Sequence, residues 1–211
     1  MEFPPGISDE VVPLDPHAEP NYQFPSIIVN WQRLESHHPL PQRLQAVKSA
    51  FITFTKFRPY VAKKPRSHNA LIRRHIMAQI AALEKAGIIR RSSRSPFVFQ
   101  CFAVPKSHSK VRLVIDFSPV TGISSHPPFY LLALPTVIKK FRIPKDHVML
   151  SLDLKSAFYH LDLDRKQWYK TCFLAPDGTR YQFTKLPMGL AVSPFICQMF
   201  LNYILQPLKE H

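Results

Sequence analysis

The sequence predicts an α+β fold in which strand hairpins are interleaved with packed helices. Three stretches carry that expectation. Residues 69–86 set Ile72, Ile76, Ile80 and Leu83 on one stripe at helical spacing, with Arg73 and Arg74 off it. Val98–Val104 and Val111–Phe117 are β-rich runs on either side of the polar turn Pro105–Lys110, the pattern of a hairpin. Lys170–Leu174 and Tyr181–Lys185 flank a turn at Pro176, Asp177 and Gly178, and Ser193–Leu205 follows as an apolar helix.

The elements follow in chain order. Residues 1–40 are crowded with prolines, which fix φ and lack an N–H, so extended and irregular chain is expected there. Residues 41–56 are expected to form a short helix with Leu44, Val47, Phe51 and Ile52 on one side. A basic linker carries Lys56, Arg58, Lys63, Lys64 and Arg66. Asn69 can cap the next helix, and Gly87 can end it in a left-handed conformation. After the hairpin, residues 118–147 are loop-rich, with a short apolar piece at Leu131–Phe141. Val148–Asp153 reads as a strand ending on a carboxylate, and Ser156–Leu161 as a helical turn. Ser193 is expected at the cap of the last helix, with Pro194 in its first turn.

Composition narrows the function classes. With 45% hydrophobic residues in 211, the chain can bury a core and is not disordered on composition. It has no apolar run of membrane-spanning length, and its start, MEFPPGISDE, resembles neither a secretory signal nor an organelle presequence. The formal charge of +14 favours a polyanionic partner, because Lys and Arg release counterions from phosphates. No basic amphipathic helix stands apart, which counts against a membrane surface. Cys101, Cys172 and Cys197 lack zinc-ligand spacing and sit in apolar surroundings, as buried thiols do in a reducing, intracellular compartment.

Three segments carry chemistry. In LSLDLKSAFYHLDL, Leu150–Leu163, Asp153 ends a buried strand. A carboxylate there needs compensation for its desolvation, and a divalent cation supplies it; capping of the following helical turn is an equal alternative on these residues alone. In VPKSHSKVRLVIDF, Lys106 and Arg112 flank a hairpin tip, where they could grip a triphosphate or simply be solvated. In FTKLPMGLAVSPFICQ, the turn at Pro187, Met188 and Gly189 lets backbone approach a flat ligand, or is only a strand-to-helix connection.

Together and in this order, these segments resemble the reverse transcriptases, over roughly residues 69–205. The resemblance implies a right-hand polymerase, with fingers and an incomplete palm. LSLDLKSAFYH is similar to the first palm motif, which makes Asp153 the catalytic, metal-binding aspartate and Phe158 the aromatic that excludes a ribose 2′-hydroxyl. PKSHSKVRLVIDF is similar to the fingers hairpin, with Lys106 and Arg112 on the triphosphate. LPMGLAVSP is similar to the second motif, with Met188 and Gly189 against nucleotide and template. Asp116 and Ala157 join the nucleotide-binding set on the same basis. AGIIRRSSRSPF, Ala86–Phe97, is similar to the helix exit before the fingers strands. Implied cofactors are two Mg²⁺ ions; implied partners are a nucleic-acid template and primer and deoxynucleoside triphosphates, with no membrane.

In detail, RLVIDFS, SLDLKSAFYH and LPMGLAVSPF are most similar to the polymerases of hepatitis B-type viruses and their fish relatives, and long-terminal-repeat retrotransposons are the rival branch. VPLDPHAEPNYQFPSI and FTKFRPYVAKKP resemble parts of the terminal protein of the former, although Ser8 stands where a priming tyrosine is expected. The expected organisation is an irregular segment over 1–68, fingers over 69–147 and a partial palm over 148–211. The family's Tyr-x-Asp-Asp motif does not occur in the chain, so the rest of the palm, the thumb and any ribonuclease H domain are expected downstream and the piece alone is expected to be inactive. Asp162 and Asp164 read as solvated loop carboxylates rather than substitutes. The alternative is a non-catalytic viral or retroelement remnant, at most a basic nucleic-acid-binding module.

Overall fold

The computed structural model describes residues 14–24, 29–42, 45–107, 110–130 and 153–206. Its centre is β4, Phe97–Ser107, which pairs in parallel with both β2, Tyr60–Val61, and β7, Phe173–Leu174. Phe97, Val98 and Phe99 are all buried, as expected for a strand covered on both faces. Beyond them β4 turns into the predicted hairpin with β5, Lys110–Ile115, in antiparallel register from Cys101 opposite Ile115 to Val104 opposite Arg112. On the other side of β7, the sheet continues through β8, Arg180–Phe183, to β3, Ile89–Arg91, both antiparallel.

The predicted helix α3 spans Ala70–Lys85. The Asn69 side chain accepts the Ile72 N–H, and Gly87 closes the helix at φ +71°. Ile76, Ile80 and Leu83 are buried as the stripe requires, and so is His75, which the stripe does not include. α3 packs against the hairpin, where Gln79 accepts the Leu113 N–H at 3.0 Å. The neighbouring outward donor, Val111 N–H, bonds the Tyr22 hydroxyl at 2.8 Å. These bonds satisfy donors on the free edge of β5 that would otherwise offer a template for another strand.

Tyr22 belongs to the proline-rich N-terminal segment, which is irregular over residues 14–24 yet tied to α3. Arg74 donates to the carbonyls of Pro16 and Ala18, and the Tyr22 hydroxyl lies 3.3 Å from His75 Nδ1. The expectation of no regular structure before residue 40 fails at α1, Trp31–His37, which Asn30 caps through Arg33 N–H. Trp31 seats this helix against Phe200, a contact invisible to local patterning. The expected helix over 41–56 shrinks to α2, Gln45–Lys48. Ala50 instead bridges to Leu163 and Thr53–Phe54 forms β1, paired with Ser124–Ser125, so strand pairing takes the rest of the segment.

Two boundaries differ further along. Arg165–Thr171 is a 3₁₀ helix that consumes the start of the expected 170–174 strand, because Asp164 caps it through Lys166 N–H. The last helix, α5, is Ser193–Ile204. Ser193 lies inside its first turn rather than at the cap, and its hydroxyl donates to the Pro187 carbonyl at 2.6 Å. A short α4, Ser118–Thr121, starts the 118–147 stretch. The expected Leu131–Phe141 piece and residues 148–152 of the expected strand lie outside the described residues. All three cysteines are buried free thiols, and burial pushes Cys101 up to about 12.

His75 yields a pH prediction. Burial, then the neighbouring Arg74 charge, lowers its pKa below the ordinary 6.5, and its Nε2 is buried without a partner among the described residues. The fold therefore favours neutral imidazole. Its contribution is complete above pH 6.5 and is lost as pH falls through the lowered folded pKa. Thermal melts between pH 7.5 and about 5 should show falling stability, with a shallower fall in His75→Leu.

Candidate nucleotide-binding site

A cleft forms where the hairpin meets the 187–189 turn. Its lining is Arg112, Leu113, Val114 and Ile115 from β5, Tyr159, Phe183, Met188 and Gly189. The site residues Arg112, Met188 and Gly189 thus come together from distant parts of the chain. Gly189 sits at φ +86°, and a Cβ there would lie 3.6 Å from the Ile115 carbonyl and 3.8 Å from Phe117. Those distances are ordinary van der Waals contact, so it is the left-handed φ that suits glycine here. Pro187 is held by the Ser193 hydroxyl, so α5 anchors the turn from behind. Met188 is 41% exposed and presents its thioether at the cleft.

Tyr159 also lines the cleft, next in the chain to Phe158, the aromatic that the motif resemblance singles out. Both lie in the 3₁₀ turn Ala157–His160, which follows Ser156 at φ +57°. Ala157 and Phe158 are half-buried and pack against the core, whereas Tyr159 stacks on Phe183 at 6.3 Å and meets Phe24 edge-on. Burial pushes the Tyr159 hydroxyl up to about 12, so it stays neutral at physiological pH. Its signal in the sequence is only its position beside Phe158.

Lys106 and Arg112 are both exposed on the paired strands, Arg112 directly opposite Val104 and Lys106 at the irregularity between Pro105 and Ser107. Arg112 lines the cleft and Lys106 does not. Asp116 accepts from the N–H and hydroxyl of Ser118, at 3.1 and 2.5 Å, which fixes the exit of β5.

Asp153 is exposed, and among the described residues it has no hydrogen-bond or ion-pair partner. The neighbouring carboxylates are engaged. Asp162 holds Lys185 at 2.7 Å, and Asp164 accepts from Lys166 N–H and the Ser49 hydroxyl. The expectation of solvated loop carboxylates is thereby refined: both tie the segment to its surroundings. Among the described residues, no cluster of His, Cys, Asp and Glu suffices for a metal site, and no helix is long and apolar enough to cross a membrane.

Gly189→Ala should shift stability by about 1–2 kcal/mol and weaken nucleotide binding, since the left-handed turn holds Met188 in place. Denaturant melts and a nucleotide titration check both effects.

Comparison with known proteins accords with this geometry. The human endogenous retrovirus group K member 9 Pol protein is 32% identical over 141 residues, 64% of this chain and 12% of that protein. The transposon Tf2-7 and Tf2-8 polyproteins of Schizosaccharomyces pombe are each 30% identical over 129 residues, 60% of this chain and 9% of each polyprotein. The chain therefore corresponds to a small part of these relatives. The family described as reverse transcriptase (RNA-dependent DNA polymerase) matches residues 94–211, which takes in the hairpin, Asp153, the Tyr159 turn and the Met188–Gly189 turn. By a match over more than half its length, with Arg112, Tyr159, Met188 and Gly189 of the matched region lining one cleft, the chain belongs to the reverse transcriptase family.

Proposed function

We propose that this chain forms the fingers and part of the palm of an RNA-directed DNA polymerase, and that the cleft between β5 and the 187–189 turn receives the incoming deoxynucleoside triphosphate. The observation that carries this reading is the convergence of Arg112, Met188 and Gly189 on one cleft. Arg112 offers a planar fork for phosphate oxygens, with Lys106 as a second cation from the same hairpin. Met188 and Gly189 give the base a flat, close-fitting wall. Phe158, next in the chain to the cleft-lining Tyr159, would discriminate against a 2′-hydroxyl, with Ala157 preceding it.

The family works with divalent metal ions, and Asp153, exposed and without a partner among the described residues, is suited to hold them. Two bound Mg²⁺ ions would stabilise charge on the reacting phosphate as a primer 3′-hydroxyl attacks it. Asp162 and Asp164 are occupied, so this chain depends on carboxylates beyond the described residues for a complete site. The division into fingers over 69–147 and palm over 148–211 belongs to this proposal; the sheet runs across it through the β4–β7 and β3–β8 pairs. The hepatitis B-type branch rests on RLVIDFS, SLDLKSAFYH and LPMGLAVSPF, with VPLDPHAEPNYQFPSI and FTKFRPYVAKKP beside them, while the retroviral and retrotransposon relatives favour the rival branch.

The test is retention of a labelled primer–template by the chain as deoxynucleoside triphosphate and Mg²⁺ are added. Nucleotide complementary to the template should slow release, and Arg112→Ala should require on the order of tenfold more of it. An unchanged nucleotide dependence in Arg112→Ala would remove the cleft from consideration. Retention with no nucleotide effect in the parent chain would favour the binding-module alternative.

A further inference from the structure

A second cleft lies at the β3 edge of the sheet, lined by Arg90, Arg91, Ser92, Ser93, Arg94 and Gln182. It shares no residue with the nucleotide cleft. Successive residues of a strand leave opposite faces, and on β8 Phe183 lines the nucleotide cleft while Gln182 lines this one. Arg90 is the register partner of Gln182, so it shares that second face, as does Arg180 by alternation. Arg180 donates to the Ser93 carbonyl at 3.2 Å, and the Ser92 hydroxyl donates to Gln182 Oε1 at 3.0 Å, which braces the loop that carries Arg94.

The charge here is largely uncompensated. Arg91 approaches Glu84 at 3.6 Å with its side chain 74% exposed. Arg90 and Arg94 have no carboxylate partner among the described residues. An aromatic is set among these cations: the Arg90 guanidinium lies 5.4 Å from the centre of the Trp168 ring and that of Arg165 lies 6.0 Å from it. Trp168 is itself held in place by its indole N–H bond to the Leu163 carbonyl at 2.8 Å. A braced row of arginines beside an indole fits a strand of phosphodiesters with unpaired bases, the arginines tracking phosphates and the aromatic edge meeting a base.

We propose that the Arg90–Arg94 cleft, with Trp168, is a second binding site for single-stranded nucleic acid, at the β3 edge of the sheet where Arg90 and Gln182 leave the face opposite Phe183. It would hold a strand outside the polymerising cleft, and it requires no metal or nucleotide.

The experiment uses the whole chain without nucleotide or divalent metal. A fluorescent single-stranded 20-mer is titrated at several salt concentrations. Arg90→Ala with Arg94→Ala should weaken binding on the order of tenfold and reduce the salt slope by about 1.4, from about 0.7 per phosphate contact on single strands. The charge-matched pair Lys63→Ala with Lys64→Ala should change affinity by less than about threefold. If the arginine pair lowers the melting temperature, Arg90→Lys with Arg94→Lys replaces it, with a smaller loss expected because the planar fork goes while the charge stays. Photocrosslinking of a thiothymidine-containing strand should label peptides carrying residues 90–94 or Trp168. Equal losses in the arginine and lysine pairs would overturn the proposal, as would crosslinks confined to β5 and the 187–189 turn. Competition by polyglutamate as effective, charge for charge, as by the oligonucleotide would also overturn it, by showing an acidic-protein surface instead.

Discussion

Replacing Asp153 with Asn is expected to remove primer extension from any polypeptide in which this chain polymerises DNA. The substitution keeps shape and hydrogen-bonding capacity but deletes the charge that would face the metal ions. Loss of charge stabilisation at the reacting phosphate costs on the order of 10²–10³ in rate or more. Binding of primer–template in the absence of metal should stay within about twofold, because phosphate contacts come from Lys and Arg. The 211-residue chain alone, with Mg²⁺ or Mn²⁺, should stay at background. A single carboxylate such as Asp153 cannot hold two ions in fixed geometry, and among the described residues its neighbours Asp162 and Asp164 are engaged elsewhere. When a segment bearing the Tyr-x-Asp-Asp motif is joined to it, extension should appear and should depend on Asp153. Extension by the chain alone that disappears in Asp153→Asn would show that Asp162, Asp164 or another carboxylate completes the site.

Phe99→Ala should be the most damaging core substitution. Phe99 is fully buried on β4, where its N–H bonds the Cys172 carbonyl at 2.8 Å and its backbone registers with Phe173. Its ring stacks on Tyr60 at 5.8 Å and meets Phe117 at 4.9 Å. It therefore joins β2, β7 and the exit of the hairpin at one point. Truncation of a buried phenylalanine costs about 3–5 kcal/mol, a large share of the 5–15 kcal/mol that typically holds a domain together. Urea titration should show a lowered midpoint with little change in slope. Nucleotide binding should fail along with stability, since Phe117 also lies 3.8 Å from where a Cβ on Gly189 would sit. A midpoint shift equivalent to less than about 1 kcal/mol would show that the β4 junction can close over the missing ring.

What was legible in the residues was whatever short-range chemistry controls. The Ile76, Ile80 and Leu83 stripe, the Asn69 cap and Gly87 specify α3 almost to the residue, because helix periodicity and capping act within a turn or two. The hairpin was legible because its strands are adjacent and its register follows from the turn. The motif residues Arg112, Met188 and Gly189 were legible as chemistry, and the fold then brought them to one cleft.

Tertiary structure alone decided the rest. Asn30 offers a local cap for α1, but the helix's place depends on Trp31 meeting Phe200 across most of the chain. The 41–56 helix gave way because Ala50 and Thr53–Phe54 found distant strand partners, and such pairing outweighs weak local propensity. Tyr159, not its neighbour, lines the cleft beside β5 because the 3₁₀ turn sets it onto Phe183. The burial of His75 is likewise tertiary, with the Tyr22 hydroxyl reaching its Nδ1 from a segment 53 positions away. Which face of the sheet the basic run at Arg90 and Arg91 serves was set by the register of β3 on β8: a shift of one residue would carry Arg90 to the other face, away from Gln182 and Trp168.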